Sequence, residues 1–163
     1  MKPILFATAA LAAAGASAVF ADSLNSGVAT GTASVIVYTP LTIVQNQGLD
    51  FGTVTSGATG AVSINADNGV RSVSGGVGAV GVDVGKAGAF TVAGQPNAAI
   101  NVLVGTAITG FPAGLSGSTV VGALPTVLTG RSADFAVGGA LNVGAETPPG
   151  TYQGSFSVAV NYP

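Results

Sequence analysis

Apolar and polar residues alternate along much of this chain. The clearest run is YQGSFSVAVNYP, where Tyr152, Phe156, Val158, Val160 and Tyr162 hold even positions while Gln153, Ser155, Ser157 and Asn161 hold odd ones. A period of two places the rows on opposite faces of a β-strand, so the even row is the predicted core face of a terminal strand. The same alternation pairs Leu49 with Phe51, Val62 with Ile64, and Phe90 with Val92. It continues through Ile100, Val102 and Val104, and through Phe135, Val137, Leu141 and Val143.

The runs that carry it are short and bounded by turn residues: ASVIVYTPLTIV, LDFGTV, GAVSINA, GAFTVAG, AAINVLV, STVVGALPTVL, DFAVGGALNVG and the terminal stretch. Eight or nine strands at this spacing predict an antiparallel β-sandwich or barrel. Helices are not expected, because Gly occurs 26 times and each interior Gly costs a helix about 1 kcal/mol. Pro40 splits the first run, as expected for an edge strand or one that changes partner midway, since proline cannot donate to a ladder. Residues 75–88, GGVGAVGVDVGKAG, read either as a loose strand or as a loop.

The N-terminal MKPILFATAALAAAGASAVFA has Lys2, an apolar stretch and small residues at two cleavage points, and reads as a secretory signal peptide. Cleavage is expected after Ala21, with Ala18 as the alternative. A single domain spanning 22–163 then remains, about 140 residues, enough to bury roughly two-thirds of its unfolded surface. The chain is therefore expected to be exported, to the periplasm, cell surface or medium, with no membrane span once the signal is removed. It contains no Cys, so neither a disulfide nor a lipidated cysteine is available.

Charge is sparse, with four Lys or Arg against six Asp or Glu, and no basic cluster offers itself to a phosphate backbone. Nucleic acid is not an expected partner. With no His and no Cys, and with acids spread singly beside turn residues, no activated nucleophile, acid–base pair or thiolate and imidazole metal site is evident. No enzyme activity, cofactor or metal is expected. Asn65 to Gly69, NADNG, has two alternating oxygen ligands but no closing acid, and reads as a hairpin turn on Asn68-Gly69 rather than a calcium loop. SGGVG is followed by no helix and is not a phosphate loop. Tyr38, Tyr152 and Tyr162 could form a sugar platform, but tyrosines at strand ends more often cover a core edge.

PLTI, LDFGTV, GVRSVSGGV, AFTVAGQPN and PGTYQGSFSVAVNY, spread from Pro40 to Tyr162, together resemble an exported bacterial β-protein family known as domain of unknown function 4402. Its layout is similar to that of spore coat protein U and of chaperone–usher pilins. The resemblance implies an immunoglobulin-like sandwich, built into a surface fibre by donor-strand exchange. Its implied partners are copies of itself or related subunits, with a periplasmic chaperone and an usher.

In such a subunit the missing strand is lent by a neighbour's N-terminal extension, a form of β-strand addition. The candidate donor is VATGTASVIV, where Ala29, Gly31, Ala33, Val35 and Val37 share one face, within an extension over 22–34 and beyond. The same segment could instead be the domain's own first strand. The competing expectation is a self-complete sandwich that binds a glycan or surface protein through loops such as 75–88 and 109–118.

Overall fold

The computed structural model describes residues 27–55 and 57–163. The expected signal peptide, both cleavage points and the first residues of the expected extension lie outside the described residues. The chain divides at Val35 into two units, the second Ile36–Pro163. In the first, residues 27–35 form no strand and every one is exposed.

The second unit is all-β. Nine strands follow one another: β1 (Thr42–Gln47), β2 (Gly60–Ile64), β3 (Arg71–Gly75), β4 (Gly88–Ala93), β5 (Asn101–Val104), β6 (Ala107–Ile108), β7 (Leu115–Val121), β8 (Ser132–Val143) and β9 (Val158–Asn161). They make two antiparallel sheets. The larger runs β1-β4-β8-β2-β3, with β7 on β8 and β6 on β7, and the smaller is β5 with β9. Strand β8 organises the large sheet: its first half pairs with β4, and its second half with both β2 and β7.

The alternating residues supply the core. One cluster joins Phe90 and Val92 of β4, Phe135 and Val137 of β8, Ile100 and Leu128, and the smaller sheet packs Val102, Val104, Val158 and Val160 against it, with Phe156 and Tyr162 from either side of β9. Side chains from both sheets meet here, which makes a sandwich. A second cluster gathers Val62, Val77, Leu141 and Val143 under Phe51, Val54, Phe111 and Leu115. Packing at β8 is tight enough to require glycine, because a Cβ on Gly138 would run into the main chain of Ile64, Asn65 and Ala66.

Several boundaries differ from the sequence expectation, each for a local reason. LDFGTV is not a strand. The Asp50 carboxylate accepts from Gly52 N at 2.8 Å and Gly52 adopts φ 71°, so an Asx turn in the left-handed region breaks the run, leaving isolated bridges at Asp50 and Val54. ASVIVYTPLTIV becomes strand only from Thr42, after Pro40, and STVVGALPTVL stops at Val121. Residues 75–88 are pinned by backbone bonds from Thr55 N to Gly78 O and between Asp50 and Lys86. The β2–β3 hairpin is present, but its connection runs over 65–70 and not over a two-residue Asn-Gly turn. There the Asn65 side chain accepts from the backbone of Asp67 and Asn68.

Candidate functional site

The terminal run keeps its alternation, with Tyr152, Phe156, Val158, Val160 and Tyr162 half-buried and Gln153, Ser155, Ser157, Ala159 and Asn161 exposed. Regular pairing covers only β9, because its partner β5 is four residues long and the chain leaves it at Gly105. Further back, Ser155 pairs with Thr109 instead.

Hydrogen bonds reveal which edge of this strand is in use. Ser155 and Thr109 exchange both backbone bonds at 2.8 Å, and Gly105 N donates to Ser157 O at 2.8 Å. Odd residues thus turn their N–H and C=O groups toward β5 and the Thr109 segment. Strand alternation then aims those of Phe156, Val158 and Val160 at the opposite edge. No strand among the described residues pairs there. Strand β1 also has one partner only, β4, and is exposed along its whole length.

These two unpaired edges border one cleft of ≈ 410 Å³. Its β1 side is Ile43, Gln45, Gly48 and Leu49, its other side is Gly154, Ser155, Phe156 and Val158, and Phe90 lies between them. Phe90 is only 6% exposed, stacked on Phe135 with ring centroids 5.4 Å apart and meeting Phe156 edge-on at 6.1 Å. Such a site has an apolar floor and strand-pairing groups along its rims. It suits an extended chain that alternates small or apolar side chains.

Tyr162 lies beyond the residues that line the cleft. The Tyr162 hydroxyl donates to Thr39 O and accepts from Gln95 N, both at 2.7 Å, and its ring meets Tyr38 edge-on at 5.0 Å. Tyr162 therefore spans from the end of β9 to the residues just before β1. Gly48 and Leu49, just past β1, line the cleft together with Gly154 and Ser155, ahead of β9, and with Thr39 held by Tyr162 the two strands run in opposite directions.

Of the proposed donor residues, Ala29, Gly31, Ala33, Val35 and Val37 all lie in exposed chain without strand structure, and a Cβ on Gly31 would meet nothing within 4 Å. Val35 and Ile36 are each 84% exposed. Tyr152 stands apart from the core cluster, its hydroxyl donating to Pro148 O at 2.6 Å. Ile43, Leu49 and Phe90 carry no sequence signal of a site, although all three belong to the apolar runs. Among the described residues no three His, Cys, Asp or Glu side chains converge as a metal site would require, and no helix is long and apolar enough to cross a membrane.

No curated protein and no solved structure matches the chain. The model of the family described as Domain of unknown function (DUF4402) matches residues 41–162, from Leu41 just ahead of β1 to Tyr162 just after β9, and the chain belongs to that family.

Proposed function

We propose that this protein is an exported, non-catalytic structural subunit with an immunoglobulin-like, pilin-like sandwich, which joins copies of itself or related subunits into a surface fibre by donor-strand exchange. The observation that carries the reading is the cleft between β1 and β9. Its two rims are unpaired strand edges and its floor is apolar, while the same chain holds a strand-patterned segment, Ala29 to Val37, exposed and without a partner strand. Exposed apolar side chains and free edges are the features by which strand addition works, main-chain bonds giving affinity and alternate side chains giving specificity. Tyr152 lends support to the immunoglobulin-like layout. Its hydroxyl bonds the backbone four residues upstream, as in the tyrosine corner of Greek-key sandwiches.

The test is assembly. Mature protein should form oligomers or fibres, seen by size-exclusion chromatography and negative-stain microscopy, when a periplasmic chaperone and usher are supplied. A subunit lacking residues 22–34 should not. Added peptide VATGTASVIVY should raise the melting temperature of the shortened subunit by mass action. Full-length protein that remains a monomer under all these conditions would overturn the proposal.

A further inference from the structure

We infer that β3 is a second interaction edge, and that it pairs antiparallel with β3 of another copy about a two-fold axis at Val73. This contact is separate from the strand exchange proposed above. In the strand order β1-β4-β8-β2-β3 the two edges stand at opposite ends, so pairing through β3 leaves the cleft untouched.

The free edge is read from the β2–β3 ladder. Asn65 N donates to Val70 O at 3.0 Å and Gly76 N to Thr59 O at 2.9 Å, and between these bonds the register sets Ser63 against Ser72 and Ala61 against Ser74. The even residues of 70–76 therefore turn their backbone groups toward β2. Arg71, Val73 and Gly75 turn theirs the other way, to an edge where no strand among the described residues pairs. Apart from its shortness, β3 lacks the usual guards of such an edge: RSVSG has no Pro or Lys, and its register with β2 is unbroken. Its single charge is committed elsewhere, because Arg71 Nη1 donates to Phe51 O and Thr53 O, both at 3.3 Å.

The occupant follows from the fit of this edge to itself. A two-fold contact uses the same patch on both copies. Reversed about Val73, the strand sets Val73 against Val73, Ser72 against Ser74 and Arg71 against Gly75. No like charges oppose each other, and the long arginine meets the residue without a side chain. Val73 lies opposite Val62 and shares its inward face, where an apolar hollow of ≈ 480 Å³ runs beside the strand between Val70, Val73, Ala79 and Val84. All three valines are exposed. Across the two-fold axis the inward faces of the two copies lie on one side, so their hollows adjoin and the pairing covers apolar surface together with the free backbone groups.

Cysteine substitution reads the axis directly, because the chain has no cysteine of its own. The two Val73 residues would form a hydrogen-bonded pair about 5.5 Å apart at Cα, within disulfide range. On mild oxidation Val73→Cys should form a covalent dimer well ahead of Val82→Cys, whose position is 97% exposed and reports chance collision. An equimolar mixture of Ser72→Cys and Ser74→Cys chains should give mainly the mixed dimer by mass, since each serine opposes the other and its own counterpart lies on the diagonal, about 7–8 Å away. Sedimentation of mature protein carrying Val35→Asp, which the strand exchange above would not tolerate, should still show a monomer–dimer equilibrium. Adding Val73→Lys sets like charges opposite each other and should weaken that dimer about tenfold or more. Cross-linking of Val73→Cys no faster than of Val82→Cys would overturn the contact, as would a dimer indifferent to Val73→Lys or no dimer at all. A preference for the two self-dimers over the mixed one would overturn the register.

Discussion

The Tyr162 hydroxyl donates to the Thr39 carbonyl at 2.7 Å across 123 positions of sequence. The same oxygen accepts from Gln95 N, so one phenol ties together the end of β9, the loop after β4 and the chain entering β1. The two sheets are thereby joined at that point.

Tyr162→Phe should keep the ring against Tyr38 but lose both hydrogen bonds. Each such bond is worth about 1 kcal/mol net, so denaturant unfolding should show a loss of about 1–3 kcal/mol. Thr39→Ala should have little effect, because its backbone carbonyl is the acceptor and its hydroxyl contact to Gln95 is exposed. Equal losses for the two substitutions would contradict this account.

Phe156 and Ser157 provide the test of the terminal strand's two faces. Phe156 packs on Phe90 and the core cluster but is only half-buried, so Phe156→Ala should fall at or below the low end of core truncations, about 2–3 kcal/mol. Ser157 is exposed, and Ser157→Ala should stay within about 0.5 kcal/mol. Thermal or urea unfolding of the two variants compares them directly.

The alternation of Val62 with Ile64, Phe90 with Val92 and Phe135 with Val137 made those strands legible, because a two-sided sheet with one buried face imposes that period. Strand β3, RSVSG, has one apolar residue and exists through its register with β2, while β6 is two residues long, so neither carries enough local signal. Pairing order was not legible at all, since it depends on contacts such as β1 with β4 that lie far apart in sequence. The cleft is a missing neighbour, which no residue encodes alone. Its trace in sequence was a terminal strand and an N-terminal segment with matching period, and only the backbone bonding of Ser155 and Ser157 showed which edge was open.

Gly138 is the position at which a single methyl group should do most harm. Gly138→Ala would place a Cβ against the Ile64 carbonyl and, at 2.7 Å, Ala66 N, forcing β8 from β2. Overpacking of this kind costs about 1–3 kcal/mol, and the main-chain contacts here put it at the upper end. Gly31→Ala, with open space around it, should leave the melting temperature of the isolated subunit unchanged.

Calcium, EDTA and reductant should each leave the melting temperature unchanged. The Asn65 side-chain oxygen already accepts from Asp67 N at 2.8 Å and Asn68 N at 3.2 Å, which commits the NADNG segment to a hairpin turn. Without cysteine there is no disulfide to reduce. A rise of several degrees with calcium would show that a bound ion couples to folding.

Val35 and Ile36 separate the role of the N-terminal segment in assembly from any role in the subunit. Each is 84% exposed, so Val35→Asp and Ile36→Asp should both leave the unfolding transition of the monomer where it was. Their faces differ once the segment becomes a strand. Val35 would enter the cleft, where an unpaired carboxylate meets an apolar floor, and burial of that charge is strongly unfavourable. Ile36 would point outward to solvent, where Asp is tolerated. Val35→Asp should therefore abolish oligomers and fibres, and the peptide VATGTASDIVY should fail to stabilise a subunit lacking residues 22–34. Ile36→Asp and its peptide VATGTASVDVY should retain both effects, at most weakened by the poorer strand propensity of Asp. Equal loss of assembly in the two variants would mean that the segment does not enter as an alternating strand, and a greater loss with Ile36→Asp would mean that the even row is the one that enters.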